Sequence, residues 1–85
     1  MSKVFNLTEA ASIAIHSMVL VAANKGKTNV GVIAERLNFS KHHVAKVMQR
    51  LVKVNILTSN RGPAGGFELA KPASEIDLLE VYEAV

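Results

Sequence analysis

Between Ser40 and Lys53 the side chains that can donate hydrogen bonds or carry positive charge recur at helical intervals, at Lys41, His42, Lys46, Gln49, Arg50 and Lys53. The intervening positions Val44, Val47, Met48 and Leu51 are apolar. Residues three and four apart share a helix face, so this pattern describes a helix with an apolar inner stripe and an outer stripe of donors. Donors in a row suit a polyanion, whose phosphates and base edges offer acceptors. The flanking sequence adds to the field: from Arg36 to Phe67 there are six basic residues, Arg36, Lys41, Lys46, Arg50, Lys53 and Arg61, and no acid. The end of the chain reverses the sign, with Glu75, Asp77, Glu80 and Glu83 and no base after Lys71. The formal net charge is only +3, so its distribution carries more information than its size.

A second group lies downstream, in Arg61-Gly62-Pro63-Ala64-Gly65-Gly66. Small residues let a loop approach a sugar-phosphate wall, and the Arg61 guanidinium can reach a phosphate or a narrow minor groove. The simpler alternative for this segment alone is a plain hairpin with a glycine-rich loop. It is not a nucleotide-binding phosphate loop, because no Lys-Ser or Lys-Thr follows the glycines and no helix opens there.

Other chemistries find less support. His42 and His43, with His16 as a third, invite a metal reading, but adjacent helical residues point about 100° apart and cannot easily share one ion. Ser40 beside two histidines suggests a nucleophile, yet no carboxylate between Arg36 and Phe67 could orient the base. Ser40 is better used as a helix cap. The chain has no cysteine, which excludes a disulfide scaffold, a thiolate zinc site and a cysteine-ligated iron-sulfur cluster within these residues, so no cofactor is expected. With 85 residues one domain spanning residues 1–85 is expected. Its stability of roughly 4 to 13 kcal/mol makes a large carved pocket hard to sustain and argues against an enzyme. Met1 to Asn6 lack the form of a signal peptide, and the apolar run Ile13 to Ala23 is broken by His16 and Ser17. A cytoplasmic protein with no membrane partner is the expectation.

The elements that must position these residues follow from periodicity. Thr8-Glu9 predicts a helix start, with apolar positions Ala10, Ala14, Met18 and Val21 continued to about Asn24. Ile13, Ile15, Val19, Leu20 and Ala22 widen its apolar surface, so this helix is either central or shared with a partner. Gly26 suits the cap that ends it. A short helix from Val30 to Leu37 buries Val30, Ile33, Ala34 and Leu37, Asn38-Phe39 makes a turn, and Ser40 opens the basic helix, which runs to about Val54. After Asn55 the period changes to alternation around Gly62-Pro63-Ala64-Gly65, a hairpin over about residues 57–70. Asp77 with Glu80 resembles a capping box opening a last amphipathic helix, whose apolar positions are Leu78, Leu79, Val81, Tyr82 and Val85. The whole is mainly α with a small β-hairpin, in the order of a winged helix-turn-helix whose third helix, about residues 40–54, enters the major groove of double-stranded DNA.

The chain also resembles the Rrf-two family of bacterial winged-helix transcription regulators over nearly all its length. The segment RGPAGGFELA at Arg61 to Ala70 is close to the family's R-G-x-x-G-G-[YF]-x-L-A, and IAERL at Ile33 to Leu37 supports it. The resemblance implies that His42 and His43 stand where family members place base- or backbone-contacting residues, that Arg61 is the wing arginine, and that Pro63, Ala64 and Gly65 form the wing tip. Two positions depart from the family: His43 replaces the usual Tyr, and Ala45 replaces an acidic or polar residue, so operator preference does not transfer. Family members continue into a loop that often carries three cluster-binding cysteines and then a helix that pairs two subunits, whereas this sequence ends at Val85. The reading is therefore a DNA-binding head, a sequence-specific regulator expected to repress, with Ser40, Lys41, His42, His43, Lys46, Arg50 and Arg61 to Gly65 on DNA and at best a weak homodimer. The competing expectation is a winged helix that binds protein through its apolar first and acidic last helices.

Overall fold

Each helix begins at a side chain that satisfies an otherwise unpaired backbone donor. In the computed structural model, which describes residues 8–24, 28–60 and 65–85, Thr8 Oγ1 accepts from the Ala11 N–H at 3.0 Å and opens α1, Glu9–Asn24. Asn29 Oδ1 accepts from the Val32 N–H at 2.9 Å and opens α2, Val30–Leu37. Ser40 Oγ accepts from the His43 N–H at 3.1 Å and opens α3, Lys41–Lys53. After β1, Leu57–Asn60, β2, Gly66–Leu69, and one 3-10 turn at Ala73–Glu75, Asp77 Oδ1 accepts from the Leu79 N–H at 3.0 Å and opens α4, Leu78–Glu83. The caps at Thr8, Ser40 and Asp77 are the expected ones, and the Asn29 cap is additional. The expected capping box forms only on its Asp77 side, because the Glu80 carboxylate accepts from Lys71 Nζ at 3.0 and 3.2 Å instead of reaching back to the backbone.

One core holds these elements together. It takes Ile13, Ala14, Met18 and Val21 from α1, Ile33 and Ala34 from α2, Val44, Val47, Met48 and Leu51 from α3, Ile56 and Leu57 from the start of the hairpin and Val81 from α4. The four inward residues of α3 are those the periodicity selects. At roughly 1.5 to 3 kcal/mol for each fully buried large apolar side chain, as an upper estimate, they pin α3 to the domain and fix which face it turns outward. α1 is the central helix: it contacts α2, α3, α4 and β2. Val30 and Leu37 are only half-buried, and on α4 only Val81 is buried while Leu78, Leu79 and Tyr82 are exposed. A helix of under two turns cannot turn every apolar side chain to one core, and of the apolar positions of α4 Val81 alone is buried.

The hairpin is antiparallel with Leu57 opposite Leu69, Thr58 opposite Glu68, Ser59 opposite Phe67 and Asn60 opposite Gly66. It is tied back at both ends. Ala70 N–H donates to Ile56 O at 3.0 Å, and Phe67 N–H donates to Thr28 O at 2.9 Å, so Thr28, from the α1–α2 connection, bridges to β2 as a third strand-like contact. Thr28 is fully buried and its hydroxyl donates to Leu20 O at 3.4 Å. No helix among the described residues is long and apolar enough to cross a membrane. Gly26 and the hairpin tip Arg61 to Ala64 lie outside the described residues.

Candidate nucleic-acid interface

The turn between α2 and α3 sets the angle at which α3 is presented. Asn38 adopts the left-handed conformation, φ 61° and ψ 45°, and its N–H donates to Ala34 O. Phe39 N–H donates to the same carbonyl at 3.1 Å. Asparagine tolerates this backbone region better than most residues, which explains how the chain turns here without glycine. Ser40 then returns to extended geometry, φ −69° and ψ 147°, and caps α3.

On α3 itself His42, Lys46, Gln49, Arg50 and Lys53 are exposed. At the 100° per residue of an α-helix they fall, with His43, within an arc of about 120° opposite the buried stripe. No carboxylate of α3 interrupts that arc. Lys41 belongs elsewhere. It lies on another side of the helix and reaches back toward α2, with its Cε 3.8 Å from where a Gly31 Cβ would stand.

His43 marks the edge of the arc toward α1. Its Nδ1 lies 3.1 Å from Glu9 Oε1, and its ring meets Phe39 edge-on with centroids 6.1 Å apart. The residues His43, Lys46, Val47 and Arg50 form a small cleft with Ala10 of α1. Glu9 was not among the site residues read from the sequence. The acid-free interval from Arg36 to Phe67 is a property of the chain, and the fold brings in a carboxylate from the first turn of α1, which no periodicity could reveal. Of the wing residues, Gly65 is half-buried next to β2, while Arg61, Gly62, Pro63 and Ala64 lie outside the described residues. Thr58, Ser59 and Asn60 of β1 are exposed, and so is Glu68 opposite Thr58, an acid on the hairpin itself.

Known proteins share this architecture. The helix-turn-helix regulator IscR of Photorhabdus laumondii is 37% identical over 81 residues, covering 93% of this chain and 49% of that protein. NsrR of Oceanobacillus iheyensis is 44% identical over 50 residues, covering 59% and 34%. Among solved structures CymR, the global cysteine regulator of B. subtilis, superposes with a TM-score of 0.87 at 21% identity, covering 94% of this chain and 64% of that one, a likeness of fold. The chain spans about half the length, or less, of such curated relatives.

The matching family model is described as an iron-dependent transcriptional regulator, so the donor set must be compared with an iron site. It does not fit: the sequence has no cysteine, and among the described residues no three or more His, Cys, Asp or Glu side chains stand together as ligands. What the chain shares with these regulators is the winged-helix fold, and the match to the family model extends over residues 7–85, so the chain belongs to the Rrf2 family.

Proposed function

We propose that this chain is a sequence-specific double-stranded DNA-binding transcription regulator that acts as a repressor, with the helix over residues 40–54 in the major groove and the hairpin over 57–70 on the backbone or the minor groove. The observation that carries this reading is the arc of donors on α3, opposite a buried stripe and free of acids of its own. A helix read by a duplex needs both features at once, since a mobile helix could not hold register and an acid on the arc would face phosphates. In this reading Lys46 and Arg50 hold phosphates, His42 and His43 meet base edges or backbone at the N-terminal half of the helix, and Ser40 fixes the helix start. Lys41 adds a phosphate contact beside the start of α2. Arg61, Gly62, Pro63, Ala64 and Gly65 supply the wing contact.

A regulator of this kind works in the cytoplasm and reads a palindrome as a pair of copies, with recognition helices about one duplex turn, roughly 34 Å, apart. Self-association of this chain is weak, with the exposed Val19 of α1 and Leu78, Leu79 and Tyr82 of α4 as the apolar surface on which copies meet. Sedimentation at micromolar concentration checks it. The function itself is tested by selecting bound duplexes from a random pool. Enrichment of a common motif, bound with an affinity that falls steeply with salt, is the expected result. Absence of any enriched motif, with binding to protein partners that salt barely affects, would overturn it.

A further inference from the structure

The fold sets one acid against the donor face of α3, and that acid comes from another element. α3 has no carboxylate of its own, yet Glu9, in the first turn of α1, brings Oε1 to 3.1 Å from His43 Nδ1. Ala10 beside it lines a cleft with His43, Lys46, Val47 and Arg50, so the start of α1 flanks the cationic arc. Among the described residues this is the one ion-pair contact that a side chain of α3 makes, and Lys46 and Arg50 have no acidic partner there. The carboxylate is not buried: 63% of the Glu9 side chain is accessible, so its charge faces the solvent from which a duplex arrives. Lys46 stands one turn beyond His43, about 4.5 Å further along the helix axis, which is inside the ~8 to 10 Å over which charges act at moderate salt.

We propose that Glu9 is an internal counter-charge to the DNA backbone, placed where a phosphate comes to the His43–Lys46 edge of α3, and that it weakens the protein's sequence-independent hold on a duplex. The inference rests on the DNA-binding reading above and deepens it. A carboxylate and a phosphate offer the same donors the same kind of acceptor and repel each other, so with Glu9 in place the edge neutralises one phosphate fewer than its donors could. The effect needs only the charge and the position of the carboxylate, and it has the same sign whether the His43 ring is neutral or charged. Phosphates are alike at every base pair, so the effect falls equally on all sequences. A Glu9 that read a base would act otherwise, since a carboxylate in the major groove matches the cytosine amino group and would favour that base at one position.

Glu9→Gln keeps the size of the side chain and removes its charge, and the exposed site leaves the core intact. Filter binding to a duplex of random sequence and to one carrying the selected motif, each over a series of salt concentrations, reads the effect. At about 50 mM salt Glu9→Gln should bind both duplexes on the order of fivefold more tightly than the wild type. Its log-log salt slope should be steeper by up to about 0.9, so that most of the gain is gone by about 200 mM. Glu9→Lys should move both quantities further in the same direction. Glu75→Gln, which removes an exposed acid from the 3-10 turn, controls for net charge and should leave both close to the wild type. Urea unfolding of each variant reads separately the part Glu9 plays in starting α1, which changes stability without steepening the slope. Unchanged affinity and slope in Glu9→Gln overturn the inference, and so does an equal gain in Glu75→Gln or a change of preference confined to one base position. A wild type that binds duplexes with a steep salt dependence while Glu9→Gln matches it leaves the DNA-binding reading standing and removes the inference alone, whereas a wild type that binds no duplex removes both.

Discussion

Removing Lys46 and Arg50 together is the sharpest perturbation of the cationic arc. Both are exposed, one helical turn apart, and line one cleft with His43, so Lys46→Ala with Arg50→Ala deletes charge without opening a cavity in the core. Each phosphate that a side chain no longer neutralises takes about 0.9 off the log-log dependence of affinity on salt, so the slope of the double variant should be shallower by about 1.8 per chain bound. Between about 50 and about 200 mM salt the wild type should therefore weaken by roughly twelvefold more than the double variant does. Fluorescence anisotropy of a labelled duplex, titrated at four salt concentrations, measures both slopes. Lys71→Ala is the control: Lys71 is already tied to Glu80 at 3.0 Å beside α4, and its removal should leave the slope where it was. An unchanged slope in the double variant, or an equal fall in the control, would show that α3 does not lie along phosphates.

Leu51→Ala removes a fully buried side chain from α3 and should cost about 2 to 5 kcal/mol. In a domain of this size that is much of the total stability, to be read from urea unfolding. Ser40→Ala should cost about 1 kcal/mol by freeing the His43 N–H, while Ser40→Gly should cost only a few tenths, a difference that chemical denaturation resolves. Asn38→Gly should be neutral to within about 0.5 kcal/mol and Asn38→Ala should destabilise by about 1 kcal/mol, because φ is 61° at this turn; equal destabilisation in thermal unfolding would mean that the backbone conformation is not what matters there.

The helices and the inward stripe of α3 were legible in the sequence because they depend on spacing and on local capping. Val44, Val47, Met48 and Leu51 repeat with the helical period, and Thr8 and Ser40 cap helices through residues three positions away. Tertiary neighbours were not legible in the same way. Glu9 meets His43, Thr28 meets Phe67 and Glu80 meets Lys71, each pairing residues from different elements whose meeting only the packed chain decides. Lys41 shows the limit of reading charge along a chain: it belongs to the run of basic residues, yet its place just after the cap turns it toward Gly31 and away from the arc that starts at His42. On α4 the apolar residues were legible as apolar but not as exposed, since burial there depends on how much of a short helix α1 can cover.

The acids gathered near the end of the chain also gain a meaning from their position. Asp77, Glu80 and Glu83 share a surface cleft with Val54, the residue that ends α3. Glu80 is offset by Lys71, which leaves Asp77 and Glu83 as negative charge beside the C-terminal end of the helix. Screening confines their effect to about 8 to 10 Å at moderate salt, so they act on that end and hardly on the first turns. The helix dipole has the same sense, positive at His42 and negative at Lys53. Arg50 and Lys53 stand in that same last turn, so the acids and the dipole offset part of the positive charge there. The charge reversal that the sequence displays along its length is thus folded back on itself, with acids of the last segment set beside the end of the basic helix.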